Sequence, residues 1–96
     1  MSKQRDAYVE KFKAQLDQLN AKIDLMEAKA KEAGADARIK YEQELVQVRE
    51  KREATRSKLD DLQSASEDAW QDLKAGFERS WNAFSESVKR ARERFD

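Results

Sequence analysis

The 96-residue chain contains no cysteine, no histidine, no proline and only two glycines. Each absence excludes something. Without cysteine there is no disulfide framework, no thiol nucleophile and no thiolate metal site. Without histidine the commonest general base and metal ligand is missing. Without proline, and with so little glycine, almost nothing interrupts a helix. No apolar run reaches the roughly 18 residues that a membrane-spanning helix needs. The opening residues Met1 to Asp6 lead into no apolar segment of the secretory type, so cytoplasmic residence is the expectation. Large apolar residues are scarce too: Leu, Ile, Val and Phe together number 17 of 96.

Such scarcity accompanies disorder when net charge is large. Here 20 basic residues balance 20 acidic ones. Ala, Glu, Lys, Leu and Arg make up 52 of the 96 residues, a composition of long helices and coiled coils. The length suits one small domain. A neutral chain lacks the basic footprint of a general nucleic-acid binder, so no nucleic-acid partner is expected. Charge is even along the chain as well. Residues 1–33 carry seven basic and six acidic groups, 34–65 seven and seven, and 66–96 six and seven.

The apolar residues that are present fall in a helical register. Val9, Phe12, Leu16, Leu19, Ile23, Met26, Ala30 and Ala33 follow each other at alternating spacings of three and four, an unbroken a/d seam. With Ser2 as N-cap and Gly34 as a left-handed C-terminal cap, the spacing predicts a helix over 2–33. Ala14, Ala21 and Ala28 occupy the outward f positions. They read either as helix-favouring filler or as a smooth back face for another helix.

A turn at 34–35 and Asp36 as N-cap open a second helix over 36–63. Its seam runs through Tyr41, Leu45 and Val48, then Leu59 and Leu62. Between them Arg52 and Thr55 hold the seam positions. Ser64 with Glu67 has the form of a capping box, which predicts a third helix over 65–95. Since no glycine or proline enforces that break, a helical hairpin with one very long second helix, dimerising, is the alternative. The predicted fold class is therefore all-α, an elongated antiparallel up-down-up three-helix bundle. Its length is about 42–48 Å, from the helical rise of about 1.5 Å per residue.

The third helix carries both tryptophans. Trp70, Leu73, Phe77, Trp81, Phe84, Val88, Ala91 and Phe95 fall within an arc of about 80° at 100° per residue. The first six are the candidate core or interface stripe. Three occupants of the stripe are distinguishable: the chain's own core, a second chain or protein partner, and a lipid surface. In an up-down-up bundle, Leu16 and Leu19 lie level with Arg52 and Thr55, and Trp81 and Phe84 arrive at that same level. The largest rings are thus expected to fill the least apolar part of the second helix, which favours the core reading. The indole N–H groups then need partners at the bundle edge or on a carboxylate. Gly76, beside the stripe, reads as a point of close approach or a bend.

No catalytic, cofactor-binding or metal site emerges. Asp60, Asp61, Asp68 and Asp72 have no calcium-loop spacing and read as helix-capping or solvated groups. Arg49, Arg52 and Arg56 share a face, but Glu50, Glu53 and Asp60 interleave with them, so a salt-bridged surface is expected rather than a phosphate grip.

The segment Ala69-Trp70-x-Asp72-Leu73-Lys74-x-Gly76-Phe77 resembles small bacterial coiled-coil proteins, of cyanobacterial type, of unknown or stress-response function. The helices also resemble those of apolipoproteins, although proline between helices is absent here. The resemblance implies a non-enzymatic helical protein tied to stress. The expected function is a non-catalytic protein-interaction or scaffolding module without cofactor, partnered by a protein or by its own copies. Peripheral lipid binding, apolipoprotein-like, is the alternative.

Overall fold

The computed structural model describes residues 3–95. They form three helices, α1 (Lys3–Glu32), α2 (Ala35–Gln63) and α3 (Glu67–Phe95), packed up-down-up in a rod of 51 × 18 × 17 Å. This is the all-α three-helix bundle. The chain breaks between α2 and α3, so the single long second helix is not formed. The expected N-cap Ser2 lies outside the described residues.

Both connections differ in chemistry from the sequence expectation. Gly34 does not close α1 in a left-handed conformation. It has φ −63° and ψ 163° and is the N-cap of α2, its carbonyl accepting the Arg38 N–H at 2.9 Å. Asp36 is therefore not the cap but an acid within the first turn, where the positive end of the helix dipole favours it.

At the second connection Ser64 ends α2 rather than starting α3. Its N–H reaches back to the carbonyl of Asp60 and the Ala65 N–H to that of Leu62, and the Ser64 hydroxyl donates to Asp60 O and Asp61 O. Ser66 caps α3 instead: its Oγ accepts the Ala69 N–H at 3.3 Å. The third helix thus begins at Glu67, not 65. What holds the break comes from far away in sequence. Arg5, buried at the start of α1, donates through Nη2 to Leu62 O at 3.3 Å and Ala65 O at 2.6 Å. Carbonyls freed at the end of a helix need such donors, and here α1 supplies one.

The core follows the seams. Val9, Leu16, Ile23, Met26 and Ala30 from α1 meet Leu45, Val48, Leu59 and Leu62 from α2 and the stripe of α3. α2 and α3 make the most extensive contact of the three pairs and α1 and α3 the least. Side-chain size accounts for this, since interaxial distance follows the residues at the contact. Aromatic rings stand between α1 and α3. On α2, the small Thr55 is buried and donates its hydroxyl to Ser80 O of α3 at 3.2 Å. The polar gap in the α2 seam is therefore closed by backbone approach. Trp81 meets α1, where its ring centroid lies 5.0 Å from that of Phe12.

Gly76 is likewise not a point of enforced close approach. A Cβ there would meet only the flexible ends of Arg79 and Lys58, at 3.8 and 3.9 Å.

Candidate functional site

The candidate stripe is mostly interior. Phe77, Phe84 and Val88 are fully buried and Trp70 nearly so. Leu73 and Trp81 are half-buried and pack against the core. Tyr8 and Phe12 of α1 face the stripe. Tyr8 meets Trp70 edge-on at 5.5 Å between centroids, and Phe12 meets Phe77 edge-on at 4.9 Å. Edge-to-face pairs of this kind contribute about 0.5–1.5 kcal/mol beyond area burial. At the far end Tyr41 of α2 stacks on Phe95 at 4.0 Å, and Arg94 pairs with Glu44 beside them.

The polar ends of these rings are treated differently. Tyr8 donates its hydroxyl to Glu78 Oε1 at 2.9 Å. Burial, followed by this bond and the carboxylate's charge, raises the phenol pKa above its ordinary value. Trp70 Nε1 is buried without a hydrogen-bond partner among the described residues, contrary to the expectation that each indole N–H finds one. Its ring face is occupied by charge instead: the Arg5 guanidinium lies 5.6 Å and the Lys74 ammonium 5.3 Å from the indole centroid, in cation–π range.

With the stripe closed, the outer surface is what remains for contact. Three large aliphatic side chains stay outside: Leu25, Ile39 and Val46 are 66%, 60% and 49% exposed. Leu25 stands on one wall of a groove between α1 and α3. The groove has two hollows of about 390 and about 100 Å³, and Lys22 and Arg92 line both. Lys89 and Glu93 line the larger, Lys29 the smaller. The floor is apolar, from Leu19, Val88, Met26 and Phe95. Four cations and one carboxylate therefore rim an apolar trough.

Ile39 and Val46 lie on the opposite side, on the outer face of α2. Ile39, Glu42 and Gln43 line a shallow hollow of about 650 Å³ there, with Ala35 and Arg38 at its edge. Two arginines of α2 are engaged elsewhere. Arg49 donates to Glu27 of α1 from Nε at 3.1 Å and Nη2 at 2.9 Å, and Arg52 pairs with Glu53 at 3.4 Å. This is a salt-bridged surface and not a converging set of guanidinium groups. Among the described residues, no three acidic side chains come together as a group able to hold a metal ion, and no helix is long and apolar enough to cross a membrane.

Sequence reasoning placed the stripe but passed over Arg5, Tyr8 and the outer surface. The signal for the surface lies in the direction of the charges: acid and base nearly cancel within each segment but separate by helical face on α2. No protein-family model, curated protein or solved structure matches the chain.

Proposed function

We propose that the protein is a non-catalytic helical module that binds or scaffolds other proteins in the cytoplasm. The supporting observation is the contrast between a closed aromatic seam and the aliphatic side chains left outside it. Leu25, Ile39 and Val46 expose apolar surface on a bundle that has ample charged residues to cover it. Ile39 and Val46 share one face of α2, and an exposed apolar patch rimmed by polar residues marks a contact surface. The absence of histidine and cysteine from the sequence supports the non-catalytic part of the reading. The resemblance of the segment around Trp70 to stress-associated coiled-coil proteins suggests the circumstance in which the module acts.

A photoreactive side chain at position 25 or 39 tests this. Discrete protein adducts should form in cells from both positions, and not from the exposed Ala14 on the back of α1. Absence of adducts from 25 and 39, together with co-flotation of the purified protein on phospholipid vesicles, would replace the reading with lipid-surface binding.

A further inference from the structure

The seven acidic and seven basic residues of 34–65 cancel in number, but on α2 they are sorted by direction. Taking Ile39 as zero and about 100° per residue, Glu50, Glu53 and Asp61 fall within about 40° of it. Asp36, Glu42 and Asp60 fall at about 60°. The seventh acid, Glu44, lies about 140° away and pairs with Arg94, and every Lys and Arg of α2 lies about 80° away or more. The nearest is Arg49, already bonded to Glu27. Val48 and Leu59 are buried on the opposite side. The outward face of α2 is thus an acidic strip bearing two exposed aliphatic side chains, Ile39 and Val46.

This strip is the counterpart of the trough between α1 and α3, which has cations on the rim and apolar residues on the floor. The two lie on opposite sides of the bundle, because α2 packs across the core from the α1–α3 groove. The part of the strip that carries both aliphatic side chains matches the groove in length. Ile39 to Glu50 spans about 16 Å and Leu19 to Lys29 about 15 Å at 1.5 Å per residue.

We propose that the α1–α3 groove receives the outer face of α2 from a second copy of this chain. Ile39 and Val46 then lie over Leu19 and Leu25, and Glu42 and Glu50 meet Lys22, Lys89 and Arg92. This is helix-in-groove recognition with charge complementarity setting the register. A symmetric groove-to-groove dimer is disfavoured, since it would bring the same cations together. The contact is head-to-tail: each copy offers one strip and one groove on opposite sides, so association continues from copy to copy. A single helix face in a short groove is at the small end of protein interfaces, where binding is weak and reversible. The inference rests on the reading of the protein as an interaction module and supplies the partner.

Sedimentation equilibrium of the purified chain tests it. The weight-average mass should rise with concentration into the range of hundreds of micromolar without a plateau at dimer, and should fall toward monomer in about 1 M salt, where charges are screened beyond about 3 Å. K22E/R92E and E42K/E50K should each weaken association at least about tenfold while keeping the circular dichroism of the parent. The quadruple variant, which reverses both sides, should regain it. A wild-type chain that stays monomeric throughout, single-side variants that associate like the parent, or a folded quadruple variant that stays monomeric would each overturn the inference. Adducts to a different protein from positions 25 and 39 would, in that event, leave the interaction-module reading standing.

Discussion

At the scale of the residue, several side chains do work that their type alone does not announce. Gly76 is the simplest case. A mid-helix glycine costs about 0.5–1 kcal/mol relative to alanine, and here only two flexible side-chain ends border the site. Gly76→Ala should therefore stabilise the protein by about 0.5–1 kcal/mol, seen as a higher urea midpoint at unchanged slope. Destabilisation would mean that the helix needs glycine there for a bend. Tyr8 makes the opposite point, because its environment gives it a titration of its own. Its folded pKa lies above the ordinary phenol value of about 10, chiefly through burial and then through Glu78. The protonated phenol is thus favoured in the folded state. The stability this contributes is complete below about pH 10 and is lost as pH rises above it, because the unfolded chain ionises first. Tyr8→Phe should show a smaller loss of stability above pH 10 than the parent in parallel urea titrations. Equal alkaline slopes would remove Tyr8 from the account.

At the scale of the element, the helices are written in the sequence more plainly than their ends. The three-four spacing from Val9 to Ala30 and the stripe from Trp70 to Phe95 are periodic signals spread over many residues, and both seams point inward as that periodicity requires. Caps are single-residue signals and compete with their neighbours. Ser64 and Ser66 are both good cap residues, and only the folded chain decides between them. It does so partly through Arg5, some sixty positions away, whose bonds to Leu62 O and Ala65 O belong to no local pattern. Gly34 is ambiguous for a related reason: glycine suits both a left-handed end and an extended beginning of a helix, and the extended form prevails. Loss of the side-chain cap in Ser66→Ala should cost about 0.5–2 kcal/mol. Ser64→Ala, whose hydroxyl bonds carbonyls at an exposed helix end, should change stability by less than about 0.5 kcal/mol. Thermal or urea unfolding of the two variants side by side decides the assignment, and the reverse order of effects would refute it.

At the scale of the whole molecule, a thin rod of three helices has little interior, so a few rings carry much of it. Phe77 is fully buried and touches Tyr8, Phe12 and Trp81. Phe77→Ala should cost about 3–5 kcal/mol. That is a large share of the 5–15 kcal/mol that holds a typical domain together. The variant's near-ultraviolet circular dichroism, which reports Trp81 and its neighbours, should weaken with it. A loss below about 1 kcal/mol would show that the seam is not the main closure of the bundle. The same scale explains what was hard to read beforehand. The stripe's own arrangement was visible in the sequence, but its ring partners on α1 were not: Trp81 meets Phe12, while Thr55 of α2 bonds the α3 backbone at Ser80 O. Which of two helices a ring chooses depends on how closely their backbones approach, and no single helix encodes that.

The aromatic closure between α1 and α3 also sets an order of events. Phe12 and Phe77, which meet edge-on, are separated by the whole of α2, whereas each neighbouring helix pair is joined by a short turn. Bringing distant segments together carries a chain-entropy cost that grows with the length between them. Neighbouring helices are therefore expected to find each other first, with the rings of α1 and α3 interlocking after the rate-limiting step. Substituting Phe12 by Leu should accordingly raise the unfolding rate and leave the refolding rate nearly unchanged in stopped-flow chevrons. A slowed refolding limb would place the ring contact in the nucleus instead. The rings that close the bundle thus act mainly as a latch on its lifetime, setting how long a copy stays folded once formed.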